Sequence, residues 1–115
     1  MAIQHWSDDI IVAELSDDPQ FTEEIGALIE SLTAHNVSVV VNMSAVGYVN
    51  SSNISKLLRL RKQMINTGQR LLLCGVTNQV WGVFLVTGLD KIFEFTNDVA
   101  TALATIQLAR SGRGT

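Results

Sequence analysis

Two adjacent hydroxyls, Ser51 and Ser52, stand at the start of a segment whose pattern predicts an amphipathic helix. Unpaired backbone N–H groups and the positive end of the helix dipole make a helix N-terminus a favourable place for a phosphate group. The sequence supplies no catalytic base and no Gly-x-Ser-x-Gly turn beside these hydroxyls, and its glycines form no phosphate-binding loop. We therefore predict that the serines accept a modification and do not catalyse a reaction. Simple capping of the helix is the alternative.

The segments that position these serines alternate between strand-like and helix-like patterns. Strands are predicted at 10–13, 37–42, 70–74 and 92–95, with a weaker edge strand at 4–6. Helices are predicted from an Asp18 N-cap to a stop at Asn36, over 51–67 with Gly68 as C-cap, over 78–86, and after an Asn97 cap. This order predicts an α/β fold, with a mixed central sheet of about four to five strands and about four helices. We expect one domain over 1–108 and a flexible tail over 109–115.

The spacing of apolar residues also predicts which side chains are buried. The expected core positions of the helices are Phe21, Ile25, Leu28, Ile29 and Leu32, then Ile54, Leu57, Leu58, Met64 and Ile65, then Phe84 and Leu85, and finally Val99, Leu103 and Ile106. The third helix is apolar on every side, so it is either fully buried or exposes an apolar patch. We interpret Trp81 as a candidate exposed anchor for a protein partner.

Charge is distributed unevenly along the chain although the net charge is only −3. Residues 1–55 hold eight carboxylates and no Lys or Arg, whereas residues 56–115 hold eight cations and three carboxylates. Lys56, Arg59, Arg61 and Lys62 fall within seven residues, which indicates either a solvated helix face or a basic surface that meets a partner. The sequence pI of about 5.2 argues against a nucleic-acid partner. The apolar runs are shorter than the ~20 residues of a membrane span, and no leader is evident, so we expect a cytoplasmic protein away from membranes.

The remaining residues that could do chemistry are few. His5 and His35 are distant in sequence and lack a second ligand at metal-binding spacing, so surface or helix-end roles are expected. Cys74, the single cysteine, ends an apolar strand and is interpreted as a core residue. We therefore predict no metal, no cofactor and no enzymatic activity.

Two motifs then resemble the STAS family, the domain of bacterial anti-sigma factor antagonists and of sulfate-transporter tails. Residues 39–52 read Val-Val-Val-Asn-Met-Ser-Ala-Val-Gly-Tyr-Val-Asn-Ser-Ser, similar to the family's hydrophobic strand, turn and phosphorylation loop. Residues 83–93 read Val-Phe-Leu-Val-Thr-Gly-Leu-Asp-Lys-Ile-Phe, similar to the family's Leu-Phe-x-x-Thr-Gly-Leu signature. The resemblance covers roughly residues 8–108 and implies the STAS-like fold.

The resemblance implies a regulatory role. In phosphorylatable members, the serine at the position of Ser51 receives phosphate from a GHKL-type serine kinase that is also an anti-sigma factor. The dephosphorylated form binds this kinase and frees a sigma factor, and a phosphatase resets the cycle. By position, Asn50 stands where the family usually has Asp, and Asn53 stands where it usually has Gly.

The resulting hypothesis is an anti-sigma factor antagonist controlled by phosphorylation of Ser51. Asn50 and Asn53 would flank the site, Ser52 would cap the helix, and Lys56 and Arg59 would steer an acidic partner, with Trp81 on the same surface. The alternative is a ligand-sensing or scaffold STAS domain without the switch, which binds a small anion or nucleotide or pairs with itself as a homodimer.

Overall fold

The structure, a computed structural model, describes residues 3–113, with side chains described through residue 109. The strands are β1 (Ile3–His5), β2 (Ile10–Ser16), β3 (Ser38–Ala45), β4 (Leu71–Cys74) and β5 (Glu94–Thr96). The helices are α1 (Gln20–Leu32), α2 (Ser51–Thr67), α3 (Asn78–Thr87) and α4 (Val99–Arg113), and a short 3-10 turn covers Leu89–Lys91. The predicted order of strands and helices is confirmed.

The five strands form one sheet in the order β1-β2-β3-β4-β5. β1 runs antiparallel to β2, and every other neighbouring pair is parallel, so the sheet is mixed as predicted. The apolar run Val39, Val40 and Val41 lies in the central strand, where helices cover both faces and all three side chains are fully buried. Both edge strands are only three residues long, which limits pairing with strands of other molecules.

Each face of the sheet has its own apolar cluster. On one face, α1, α2 and α3 pack on Ile11, Val41, Leu73 and their neighbours, and the predicted α1 positions Phe21, Ile25, Leu28 and Leu32 are buried there. On the other face, α4 places Ala102 and Ile106 against Ile10, Val12, Val40, Leu72 and Cys74, with Val99 and Leu103 partly buried. Alternate residues of the parallel strands therefore serve two cores, which explains why these strands are apolar throughout.

The buried face of α2 differs from the prediction. Leu57 and Met64 are buried as expected, but Leu58 and Ile65 are 38% and 57% exposed, and Leu60 and Asn53 are buried instead. The apolar residues of this helix form two stripes, and helical periodicity alone does not decide which of them faces the sheet. In α3, Phe84 is buried as expected, whereas Leu85 is 53% exposed. The buried face carries Val80 and Phe84, and Leu85 is turned away from it by about 100° around the helix.

Several element ends also differ from the sequence-based boundaries. The N-cap position of α1 is Pro19, although the Asp18 carboxylate still accepts a hydrogen bond from the Thr22 N–H at 3.0 Å. α1 ends at Leu32, before the predicted stop at Asn36. The last strand covers 94–96 and not 92–95, because the N–H groups of Ile92 and Phe93 donate to the Leu89 carbonyl at the 3-10 turn. At the end of α1, the Thr33 and Ala34 N–H groups donate to carbonyls three residues earlier, which closes the helix before Asn36.

α2 ends as the sequence predicts, whereas α4 begins one residue later and extends further than predicted. Gly68 ends α2 in the left-handed conformation at φ 71°, as predicted. At α4 the carboxylate of Asp98, and not Asn97, accepts from the Thr101 N–H at 2.8 Å. α4 extends to Arg113, into the segment for which a flexible tail is predicted, and residues 114 and 115 lie outside the described residues. Within residues 3–113, no helix is long and apolar enough to cross a membrane.

Candidate functional site

The site lies where the parallel strands end. The segment after β2, the loop between β3 and α2, and the segment after β4 all emerge at the carboxyl edge of the sheet. In open α/β sheets this edge is the usual place for binding, because chain segments from several strands meet there. Ser51 begins α2 at this edge, and both Ser51 and Ser52 are exposed.

A reciprocal pair of asparagines starts α2. The Asn50 side chain accepts a hydrogen bond from the Asn53 N–H at 2.8 Å, and the Asn53 side chain accepts from the Asn50 N–H at 3.0 Å. This arrangement is a capping box, in which two N–H groups that the helix leaves unpaired are satisfied together. Ser52, predicted to cap the helix, does not; its hydroxyl accepts from the Lys56 ammonium at 2.7 Å.

The asparagine pair is tied to the loop that follows β2. Asn53 is only 1% exposed, and its side-chain NH2 donates to a carboxylate oxygen of Asp18 at 3.0 Å. One residue earlier in that loop, Asp17 accepts from the Gly47 N–H at 2.8 Å. Two neighbouring carboxylates of one loop therefore hold the start of α2 and the segment before it. The partner contact predicted for Asn53 stays a prediction, and in the structure its buried side chain helps to hold the start of α2.

These hydrogen bonds also lower the pKa of the Asp18 carboxyl group. The Asn53 amide is the largest cause that holds the pKa of Asp18 below its ordinary value of 3.8, followed by the Thr22 hydroxyl, with a small contribution from Asn50. Donors that bind a carboxylate favour its charged form. Asp18 is an anion at neutral pH even at its ordinary pKa, and the lowered pKa extends its charged range to more acidic pH.

A third contact fixes the loop between β3 and α2 from the side of β4. The Thr77 hydroxyl, at the N-cap position of α3, donates to the Val46 carbonyl at 3.0 Å. Just before it, Gly75 has a φ of 67°, and a Cβ added there would lie 3.0 Å from the side-chain oxygen of Asn42. Only glycine fits this close passage without strain. The candidate site is thus anchored from both neighbouring strands.

The exposed side of α2 is positively charged. Arg59 and Lys62 are exposed, Lys56 and Arg61 are partly exposed, and no carboxylate among the described side chains forms an ion pair with any of these four. The ion pair seen within the described residues joins Arg70 to Glu94, outside this helix. Unpaired cations on one helix keep their full attraction for an acidic partner.

Trp81 lies at the same sheet edge, but it is not fully exposed. Its ring packs edge-to-face on Phe95 with ring centres 5.0 Å apart, and the side chain is partly buried. Trp81 and Phe95 line an open cleft of about 260 Å³ together with Gly75, Val76, Thr96 and Asn97. Sequence reasoning missed this cleft because Phe95 and Trp81 become neighbours only through the packing of α3 on β5. A common surface for Trp81 and Ser51 remains a prediction.

The arrangement of side chains at this edge favours neither metal binding nor a cysteine nucleophile. No group of three or more His, Cys, Asp or Glu side chains within the described part of the chain is arranged to hold a metal ion. Cys74 is buried, and burial followed by the Asp98 carboxylate raises the pKa of its thiol to about 11. A thiol held neutral in this way is a core residue, as predicted.

Solved structures share this architecture along nearly the whole chain. An anti-sigma-factor antagonist (STAS) domain protein from Planctomyces limnophilus aligns with a TM-score of 0.79 at 18% identity, covering 91% of this chain and 96% of that one. A substituted form of RsbS from Moorella thermoacetica aligns at 0.78 and 17%, covering 96% and 99%. SpoIIAA, an anti-sigma factor antagonist in its unphosphorylated form, aligns at 0.77 and 14%, covering 91% and 94%. At these identities the likeness shows the fold.

The family to which the chain belongs is identified by a family model. The family model of the STAS domain matches residues 16–102, which is most of the chain and includes β3, the loop after it and all of α2. This chain belongs to the STAS domain family.

Proposed function

We propose that the chain is a non-enzymatic interaction domain of the anti-sigma factor antagonist type, switched by phosphorylation of Ser51. Its partner would be a GHKL-type serine kinase that also acts as the anti-sigma factor, and a phosphatase would reverse the modification. The solved relatives that carry the name anti-sigma factor antagonist, one of them in an unphosphorylated form, support this class of function. The proposal places the protein in the cytoplasm.

The observation that carries the proposal is the position of Ser51. Its side chain is exposed on the first residue of α2, while the capping box and the Asp18 contact hold the backbone around it. A kinase can therefore reach the hydroxyl without unfolding the site. A phosphate there would carry about −1.5 to −2 charges at neutral pH, and the helix N-terminus would stabilise it. Phosphorylation would change the surface and leave the fold intact.

We assign the partner-binding surface that phosphorylation would control to a line of residues on the exposed side of α2. Ser51, Leu58 and Ile65 follow one another at intervals of seven residues, and Ile54 and Arg61 occupy the positions between them. Residues three, four and seven apart share one face of a helix, so these five form a continuous line, named here the α2 stripe. Leu58 and Ile65 are exposed, although large apolar side chains usually avoid water. Such a line is the pattern that receives a partner helix.

The charge of the α2 stripe indicates what kind of helix it would receive. Arg61 lies within the stripe between Leu58 and Ile65, and its Nε donates to the Ile92 carbonyl at 3.0 Å, which restrains the guanidinium. Arg59 and Lys62 each follow a stripe residue along the helix. An acidic amphipathic helix of the kinase would complement both the apolar line and the cations. A phosphate on Ser51 would then repel the partner from one end of the stripe, which accounts for release in terms of charge alone.

Phosphorylation is tested by incubating the protein with ATP and GHKL-type kinases from its own genome, followed by mass spectrometry of its peptides. We expect one added phosphate on Ser51, no phosphate in Ser51→Ala, and unchanged labelling in the neighbouring control Ser52→Ala. Ser51→Asp should weaken kinase binding at least tenfold. Phosphate found only at other residues, or binding that is the same in Ser51→Asp, would contradict the proposal.

The α2 stripe is tested with a matched pair of surface variants. Ile65→Ser removes an apolar side chain that is 57% exposed on α2, and Leu108→Ser removes one that is 71% exposed on α4, across the sheet. We expect Ile65→Ser to weaken kinase binding and Leu108→Ser to leave it unchanged, with similar unfolding free energies for both. Binding should also weaken as salt is raised, because part of the attraction is between exposed charges. Equal effects of the two variants would argue against the stripe.

The cleft beside Trp81 favours a second candidate, a ligand-sensing domain without a phosphorylation switch. Its volume of about 260 Å³ suits a small planar molecule, and Trp81 and Phe95 provide aromatic surface at its wall. The measurement that separates the two is the melting temperature in the presence of nucleotides and small anions. A ligand-dependent rise that Trp81→Ala removes, without any phosphate on Ser51, would favour this candidate.

A further inference from the structure

The two histidines of the chain are brought together by the fold. His5 lies in β1 and His35 lies between α1 and β3, and both side chains are exposed. Their ring centres are 5.7 Å apart, with the ring planes at 61°. His5 pairs with Ile11 of β2 and so faces the side of the sheet on which α1 packs. Both residues lie at the surface and His35 contacts the end of α1, as the sequence predicted, but their proximity could not be read from the sequence.

The hydrogen bond of His35 leaves one ring nitrogen ready to bind a metal. His35 Nδ1 lies 3.1 Å from the Ser31 carbonyl oxygen. A carbonyl oxygen only accepts, so in the neutral form of the ring Nδ1 carries the proton and Nε2 holds the lone pair. Histidine ligands of metals typically show this arrangement, in which a backbone carbonyl fixes the tautomer and the orientation of the ring.

The separation of the rings suits one shared ion. With a metal–nitrogen distance of about 2.0–2.1 Å, each ring centre lies roughly 3.2 Å from the metal, so two rings on one tetrahedral ion are about 5.2 Å apart. Two rings on opposite sides of an ion would be about 6.4 Å apart by the same geometry. The observed 5.7 Å lies between these values. Both side chains are exposed, so rotation about their side-chain bonds can turn the two nitrogens toward one ion.

We propose that His5 and His35 together bind one divalent transition-metal ion of the Zn²⁺, Ni²⁺ or Cu²⁺ class. Imidazole nitrogen suits these ions, whereas Mg²⁺ and Ca²⁺ require oxygen ligands. No third His, Cys, Asp or Glu joins the pair within the described residues, so water completes the coordination and the ion exchanges readily. The bound ion connects the edge strand β1 to the segment after α1, and it stabilises the folded chain because these residues are not held together in the unfolded chain.

The chain is well suited to a test because it has no other histidine and its single cysteine is buried. Untagged protein is titrated with NiCl2, ZnCl2 and CuCl2 by calorimetry near neutral pH. We expect one ion per chain, a higher melting temperature that EDTA reverses, and an electron paramagnetic resonance spectrum of bound Cu²⁺ with two imidazole nitrogens. His5→Ala and His35→Ala should each weaken binding at least about tenfold, since even the loss of an outer-shell partner costs 10–100-fold.

The outcome is decided by comparing the single variants with the double variant. Each single variant should show one imidazole nitrogen on Cu²⁺, and His5→Ala/His35→Ala should bind no ion at the same concentrations. Without metal, His5→Ala should unfold close to the wild-type temperature, and His35→Ala slightly below it because it loses the exposed hydrogen bond to the Ser31 carbonyl. Binding that survives in the double variant, or a wild-type spectrum with a single nitrogen, would overturn the proposal.

Discussion

The capping box at the start of α2 predicts that Asn50→Ala destabilises the protein more than Ser52→Ala. From the sequence alone, Ser52 is the expected cap, which would predict the opposite order. Asn50→Ala removes the oxygen that accepts from the Asn53 N–H at 2.8 Å. Loss of an N-cap typically costs about 1 kcal/mol, within a range of about 0.5–2 kcal/mol. Ser52→Ala removes only an exposed contact with Lys56, and alanine favours helix, so its effect should stay within about 0.5 kcal/mol.

The assay is urea unfolding followed by circular dichroism, with melting temperatures as a second readout. For a chain of this size, a loss of 1 kcal/mol lowers the melting temperature by roughly 3–6 °C. Asn50→Ser is the control, because serine is also a good cap and should recover most of the loss. If Ser52→Ala destabilises the protein more than Asn50→Ala does, the capping oxygen belongs to Ser52 and the assignment of the site is wrong.

Three further outcomes test the surroundings of the site. Gly75→Ala should destabilise the protein more than Gly68→Ala in urea unfolding. Both glycines are in the left-handed conformation, which costs alanine about 1–2 kcal/mol. Only at Gly75 does the added Cβ also meet Asn42, at 3.0 Å. Because the pKa of Asp18 is lowered on folding, its contribution to stability is complete above its unfolded pKa and is lost as the pH falls through the lower folded value. Unfolding free energies measured below about pH 4 should therefore fall less steeply in Asp18→Asn than in the wild type. With a thiol pKa of about 11, Cys74 should react slowly with a chromogenic thiol reagent at pH 8 in the folded protein and quickly in urea; equal rates would contradict its burial.

The elements of the fold could be predicted from the sequence because their signals are local. Valine and leucine runs marked β3 and β4, and Gly68 marked the end of α2. The face of α2 could not be predicted in the same way. Leu57 and Leu58 are equally apolar, and only the position of the helix on the sheet decides that Leu57 is buried and Leu58 is 38% exposed.

The parts of the site that could not be predicted all depend on contacts between distant residues. Asn53 and Asp18 are separated by 35 residues, and nothing in the sequence near either one indicates the other. The same holds for Thr77 with Val46 and for His5 with His35. By contrast, the exposure of Ser51 followed from a local pattern, a polar loop before an amphipathic segment, and the structure places its side chain in solvent.

The two asparagines that replace the family's usual residues are compatible with a working switch. Asn50 supplies the same capping oxygen that an aspartate would supply, without adding a charge beside Asp18. Asn53 needs no unusual backbone, because the described part of the chain has no residue other than glycine with positive φ. Its side chain is 1% exposed, so the volume it adds relative to glycine lies inside the protein and not in the path of a partner. We therefore expect a partner to approach this loop as closely as it would with glycine, while the hydrogen bond from Asn53 to Asp18 holds the start of α2.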